Sequence, residues 1–163
     1  MRFAGQAAAY AAFALVIGWF SSAPVWRHTD PGRAQIKLSL RHAGEKASEC
    51  RRLSPEEIAA LPPNMRKPMD CPRGRVPVAL EVEIDGAPVL AESLPPAGLS
   101  GDGASSAYHR FQVDAGEHRI VARLRDSRRA EGFDYQGETT VVLAPRQNFV
   151  IDFQPGLGGF QFR

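Results

Sequence analysis

From Ile36 onward, apolar and polar side chains alternate. Ile36, Leu38 and Leu40 fall on one side, with Lys37, Ser39 and Arg41 on the other. A period of two is the mark of a strand with one buried face. The same alternation returns in Val78, Leu80, Val82 and Ile84 against Ala79, Glu81 and Glu83. Asp85-Gly86 then offers the positive φ angles of a tight hairpin, and Val89 to Leu94 is the expected return strand. Tyr108, Phe111 and Val113 begin another strand, in which His109 is assigned to the outward side. After Asp114-Ala115-Gly116, His118, Ile120, Ala122 and Leu124 alternate with Arg119, Val121, Arg123 and Arg125. Thr139–Leu143 and the Phe149, Ile151, Phe153 run add two more strands. Beyond a glycine hinge, Phe160 and Phe162 are expected to complete an edge. The total is seven or eight short strands without strand–helix–strand alternation. It predicts a mainly β protein built as a two-sheet sandwich.

Residues 43–75 interrupt the pattern as an irregular insert. Ser54-Pro55-Glu56-Glu57 reads as a helix start, with Ser54 as the cap and acids near the positive dipole end. Ile58 and Leu61 give the helix a small apolar face, and Pro62-Pro63 stops it after about two turns. Cys50 and Cys71 bracket this insert. A disulfide there would close a loop of about twenty residues and stabilise it by about 3 kcal/mol in the chain-entropy model. Metal binding together with His28 or His42 is the competing use. It is disfavoured because two lone cysteines lack paired ligand spacing. Residues 95–106, rich in Gly, Pro and Ser, read as a flexible loop.

The N-terminal segment is of another kind. Phe3 to Phe20 runs eighteen residues without a charge, long enough at about 1.5 Å per residue to cross a hydrocarbon core. Trp19 and Trp26 suit a membrane interface. A cleaved signal peptide and an uncleaved anchor both fit. Pro24 directly after Ser21-Ser22-Ala23 argues against cleavage and for the anchor. The expected organisation is a membrane anchor over 1–26, a linker over 27–34 and a β domain over 35–163 carrying the insert 43–75. Arg27, Arg33, Lys37 and Arg41 follow the span, which by the positive-inside rule would place the domain in the cytoplasm. The β composition and the cysteine pair favour export. Seventeen Arg against three Lys suggest a bacterial protein, hence an inner-membrane span with the domain in the periplasm.

Composition narrows the function classes. Twenty Lys and Arg against eighteen Asp and Glu leave a net charge of +2, too balanced for a dedicated nucleic-acid binder. No G-x-S-x-G elbow, phosphate loop or spaced ligand set occurs, so no catalytic residue, cofactor, metal or small-molecule substrate is expected. His118, on the inward parity, is expected to be hydrogen-bonded and partly buried. Glu81 and Glu83 are expected to be solvated on one strand face. Arginine is the strongest surface signal. Arg119, Arg123 and Arg125 share a strand face, Arg128 lies in the adjoining turn, and Arg66 and Arg73 make the insert basic. These six form the candidate interaction surface, toward anionic lipid heads or an acidic partner subunit.

Two segments carry a family likeness. Val82-Glu83-Ile84-Asp85-Gly86 and Val113-Asp114-Ala115-Gly116-Glu117-His118-Arg119-Ile120 resemble the turn chemistry of PEGA-type and immunoglobulin-like surface modules of bacteria. The resemblance spans residues 78–125. It implies an immunoglobulin-like antiparallel sandwich that binds macromolecules or spaces domains, with no catalytic residues to carry over. The expected function is a non-catalytic, membrane-anchored periplasmic accessory or assembly subunit of a larger membrane complex, respiratory or transport. It would contact lipid through residues 3–20 and other subunits through its head. The alternative is a periplasmic module for cell-wall glycan or another saccharide, with Tyr108, Phe133 and Tyr135 as its aromatic contacts.

Overall fold

The computed structural model describes residues 2–23 and 30–163. Pro24, Trp26, Arg27 and His28, which entered the reading of the anchor and the metal alternative, lie outside the described residues. The chain divides into two compact units, Met1–Asp30 and Pro31–Arg163.

The first unit is one helix, α1 (Arg2–Ser22). Its stretch Phe3–Ser22 is long and apolar enough to cross a membrane, and none of it is buried against protein. Phe3, Phe13, Leu15, Trp19 and Phe20 are all more than half exposed. Ser22 returns its hydroxyl to the Gly18 carbonyl at 2.8 Å, which satisfies that polar group inside the helix. Ser22 therefore does not interrupt an apolar span.

The second unit is mainly β; strands make up 46% of the chain. Its long strands are β1 (Arg33–His42), β4 (Val78–Ile84), β5 (Ala87–Leu94), β6 (Ser105–Asp114), β7 (Gly116–Arg125), β8 (Tyr135–Leu143) and β9 (Asn148–Gln154). β10 (Gly159–Phe162) is shorter, and β2 (Arg51–Arg52) and β3 (Met69–Asp70) lie in the insert. One four-stranded sheet has the order β10-β9-β1-β6 and the other β5-β4-β7-β8. Ala34, Ile36, Leu38 and Leu40 of the first sheet join Val78, Leu80, Val82, Ile120, Ala122 and Leu124 of the second. Phe149, Ile151 and Phe153 complete a single buried cluster. The period-two rows read from the sequence are the rows that meet.

Three details go beyond or against the sequence reading. The β1–β9 pair is parallel, where antiparallel ladders throughout were expected; β9 arrives from the opposite sheet and is laid beside β1 in the same direction. β6 and β7 are not a hairpin. Ala115 alone separates them, and they belong to different sheets, so Asp114-Ala115-Gly116 is a corner between sheets. Gly116 takes φ +148° there, a conformation L side chains rarely adopt. Finally, His109 pairs with buried Leu38 and shares its side of β6 with Ala107, Phe111 and Val113. The outward parity assigned to it is corrected: Tyr108, not His109, faces out. Tyr108 is out of phase with Phe111 and Val113, so a parity counted from its ring puts His109 on the wrong side.

The Asp85-Gly86 turn is as expected, with φ of 55° and 80° and β5 pairing back onto β4. At the opposite edge β10 pairs with β9. Phe160 and Phe162 pack against the core where β8 offers Gly137. A Cβ on Gly137 would lie 2.9 Å from Phe160 Cβ and 2.9 Å from Phe162 Cε2. Replacing Gly137 by Val therefore forces β10 away, and overpacking of this kind costs about 1–3 kcal/mol. Chemical denaturation of the full chain in detergent should show that loss for Gly137→Val, and little change for Gly156→Ser, whose site is open and whose φ is not positive.

Candidate functional site

The insert is the feature that the two sheets do not absorb. Cys50 and Cys71 are disulfide-bonded, with Cα atoms 4.2 Å apart. The next residues inward form a two-rung ladder, Arg51 with Asp70 and Arg52 with Met69. Between them runs α2 (Pro55–Ala60), held by a complete capping box: the Glu57 N–H donates to Ser54 Oγ at 3.2 Å, and the Ser54 N–H donates to Glu57 Oε2 at 2.8 Å. The helix starts at Ser54-Pro55 and ends before Pro62-Pro63, as the sequence implies. The short ladder had no sequence signal, because two residues cannot display a period.

Residues 51–70 contain no buried side chain. This lobe therefore keeps its shape through the disulfide, the capping box and two ion pairs rather than through a core of its own. Arg51 Nη1 donates to Glu57 Oε1 at 2.9 Å, and Lys67 Nζ to Asp70 Oδ1 at 2.8 Å. The Ser54 N–H and then the Arg51 guanidinium hold Glu57 below its ordinary carboxylate value; Lys67 does the same for Asp70. Leu53, Glu57, Leu61, Met65, Lys67 and Asp70 line a shallow groove of about 350 Å³. Met65 is 60% exposed beside it. An apolar groove framed by both signs of charge suits a protein surface better than a small polar ligand.

The lobe is fastened to the sheets at its stem. Arg75 donates through Nη1 to the Gly44 carbonyl at 2.8 Å and through Nε to the Asp102 carbonyl at 2.9 Å. Its N–H reaches the Gly101 carbonyl at 2.9 Å. The loop expected to be flexible over 95–106 is tied to the stem over 95–104, its last two residues belonging to β6, and the Gly103 N–H closes it onto the Ala97 carbonyl. Arg128 donates to Glu45 at 3.2 Å and Glu49 at 3.3 Å. The Arg128 N–H and then its guanidinium hold Glu45 below the ordinary value.

The six candidate arginines are thus dispersed. Arg119 donates to Glu138 at 2.6 Å, and Arg123 to Glu83 at 2.5 Å with Glu81 at 3.8 Å. Arg125 reaches the Gly132 carbonyl at 3.2 Å. Arg119, Arg123 and Arg125 do share the outer face of the β5-β4-β7-β8 sheet, but two of them are met there by glutamates. Glu81 and Glu83 are likewise held in ion pairs rather than merely solvated. Val121 is only 5% exposed on that face, in the row of Glu83 and Glu138 and flanked by the two paired arginines. Arg66 turns its Nε to the Leu61 carbonyl at 3.3 Å, and Arg73 is exposed at the stem. Of the aromatics, Tyr108 is 60% exposed. Phe133 lies under the Arg123 guanidinium, and Tyr135 packs edge-on to Phe153.

Each histidine among the described residues faces a carboxylate. His42 lies 2.6 Å from Asp126, His109 3.3 Å from Glu92 and His118 2.7 Å from Asp85. Among the described residues no three His, Cys, Asp or Glu side chains gather as metal ligands would. His118 has the most complete set of partners. Its Nδ1 meets Asp85 Oδ2 and its Nε2 meets the Asp114 carbonyl at 2.8 Å, while the Arg119 N–H donates to Asp85 Oδ1 at 2.9 Å. The Asp85-Gly86 turn and the Asp114-Ala115-Gly116 corner are thereby joined through one imidazole. With an acceptor at each nitrogen, the doubly protonated ring fits best. Burial opposes the charge, but the Asp114 carbonyl and Asp85 outweigh it and raise His118 above its ordinary 6.5. His118 in turn, with the Arg119 N–H, lowers Asp85.

No family model, curated protein or solved structure matches this chain.

Two predictions follow from this geometry. Cys50→Ser with Cys71→Ser should remove about 3 kcal/mol from the closed loop. Trypsin should then cut after Arg51, Arg52 or Arg66 in the folded full chain while the sheets stay intact by mass spectrometry. For His118, the folded value is raised, so its contribution to stability is complete below about pH 6.5 and fades as pH rises through that folded value. Asp85 is lowered, so its share is present above 3.8 and fades only as pH falls through its folded value. The melting-temperature gap between the native chain and His118→Gln should therefore be wider at pH 6 than at pH 9; an equal gap at both would contradict the assignment.

Proposed function

We propose that this is a non-catalytic accessory or assembly subunit of a larger membrane complex. α1 anchors it in a bacterial inner membrane, and its head is an immunoglobulin-like, PEGA-like sandwich in the periplasm. The observation that carries the reading is the Cys50–Cys71 lobe. It is closed covalently and fastened to the sheets by Arg75 and Arg128. It contains no buried side chain and still exposes Met65 on an apolar groove and Met69 on β3. Such a lobe adds little to the stability of the fold that bears it, so its persistence is best explained by what it touches. A disulfide-closed loop also belongs in an oxidising compartment, which supports the outward orientation against the positive charges that follow the span.

The lobe lies at the end of β1 opposite to Arg33, where the chain enters the head. Ten residues of strand at about 3.3 Å each separate the two. The stem also gathers the 95–104 and 126–134 loops at that end, which widens the surface available to a partner subunit. Methionines at such a surface adapt to the partner that covers them.

The test is affinity purification of the tagged full chain from native membranes in mild detergent. The expected result is a defined set of membrane subunits that is lost with Met65→Glu, while Leu157→Glu, equally exposed but on the turn before β10, keeps it. Recovery of a lone monomer with the native sequence would overturn the proposal.

A further inference from the structure

The two outer faces of the head differ in charge. On the β5-β4-β7-β8 sheet, Arg119 and Arg123 are matched by Glu138, Glu83 and Glu81. On the β10-β9-β1-β6 sheet, Lys37 and Arg110 stand directly opposite each other in the β1–β6 ladder, and Arg41 is opposite Ser106. None of these three cations has a carboxylate within 4.0 Å among the described residues. Two acids do lie on this face. Asp114 is 3.5 Å from Arg33 at the far end of the ladder. Asp152 is turned onto the Phe153 N–H and the Gln154 amide, each at 2.9 Å. Like charges directly across a ladder oppose pairing, so this pair costs the fold something and is not explained by it. Tyr108 lies on the same face, opposite Ser39 and 60% exposed.

We infer that this outer face docks onto anionic lipid headgroups, with Lys37, Arg41 and Arg110 supplying the charge and Tyr108 an interfacial ring. The inference rests on the anchor reading of α1 but not on the lobe or its partner. Two observations commit it to lipid. The cationic face is complementary to a phosphate-bearing surface, where each Lys or Arg adds attraction and an amphipathic aromatic sits at headgroup depth. The tether is also short. From Ala23 to Pro31 is eight residue steps, which span at most about 28 Å when fully extended. A head joined to an anchor by so few residues meets the bilayer that holds the anchor at high effective concentration, so a weak charged face suffices.

The three lysines of the chain provide the readout: Lys37 is on this face, while Lys46 and Lys67 are in the insert. The full chain is incorporated into nanodiscs of phosphatidylcholine, with or without about a third phosphatidylglycerol. Each lysine is then acetylated at low conversion and quantified by mass spectrometry. Lys37 should react about fivefold more slowly in the anionic discs, with Lys46 and Lys67 unchanged. High salt should restore it, and Arg110→Gln should weaken the protection. Equal Lys37 rates in both discs, equal protection in neutral discs, or slowing of all three lysines together would overturn the inference. A chain that does not co-migrate with the discs would overturn the anchor reading and this inference with it.

Discussion

Burial of the inward rows of β1, β4, β7 and β9 in one core is the constraint from which the remaining features follow. Ile36, Leu38, Leu80, Val82, Ile120, Leu124 and Ile151 are almost completely withdrawn from water, and full burial of such side chains is worth about 1.5–3 kcal/mol each. A shift of one residue in any of these strands would turn its apolar row to solvent. Parity is therefore fixed, and so is the identity of every side chain on the outer faces. The arginines of β7 fall on the same face as the glutamates of β4 and β8, and Lys37 falls opposite Arg110, because the core leaves them no other side.

The lobe obeys a different rule. With no buried residue between Arg51 and Asp70, the hydrophobic effect contributes little to its shape. Covalent closure shrinks its unfolded ensemble, the capping box satisfies the first turn of α2, and Arg75 holds three carbonyls at the stem. A segment organised this way can change its surface without disturbing the core. The head thus combines an interior fixed by packing with a separately stabilised projection.

Much of the head was legible in the sequence because period two is a direct image of one-sided burial. The β1 and β4 rows, the Asp85-Gly86 turn, the Ser54 cap and the Cys50–Cys71 pair are all local or compositional signals. Pairing between distant strands is not. That β9 lies parallel to β1, or that the Asp114 corner changes sheets, depends on tertiary order that no window of residues displays. The arginines illustrate the limit best. Their common face on β7 follows from parity, but their neutralisation by Glu83 and Glu138 depends on which strands flank β7. The same holds for Arg110, which could be placed beside Lys37 only once the β1–β6 register was known. The parity of His109 is misleading for a local reason: the adjacent apolar residue, Tyr108, turns its ring to solvent.

Native-state hydrogen exchange of the full chain in detergent tests the shared core most directly. Amides of Ile36–Leu40, Leu80–Ile84, Ile120–Leu124 and Ile151–Phe153 should open together with one free energy, while residues 51–70 exchange faster as a separate unit. If β1 with β9 opened independently of β4 with β7, the two sheets would not depend on a common interior, and the assignment of the outer faces would lose its basis.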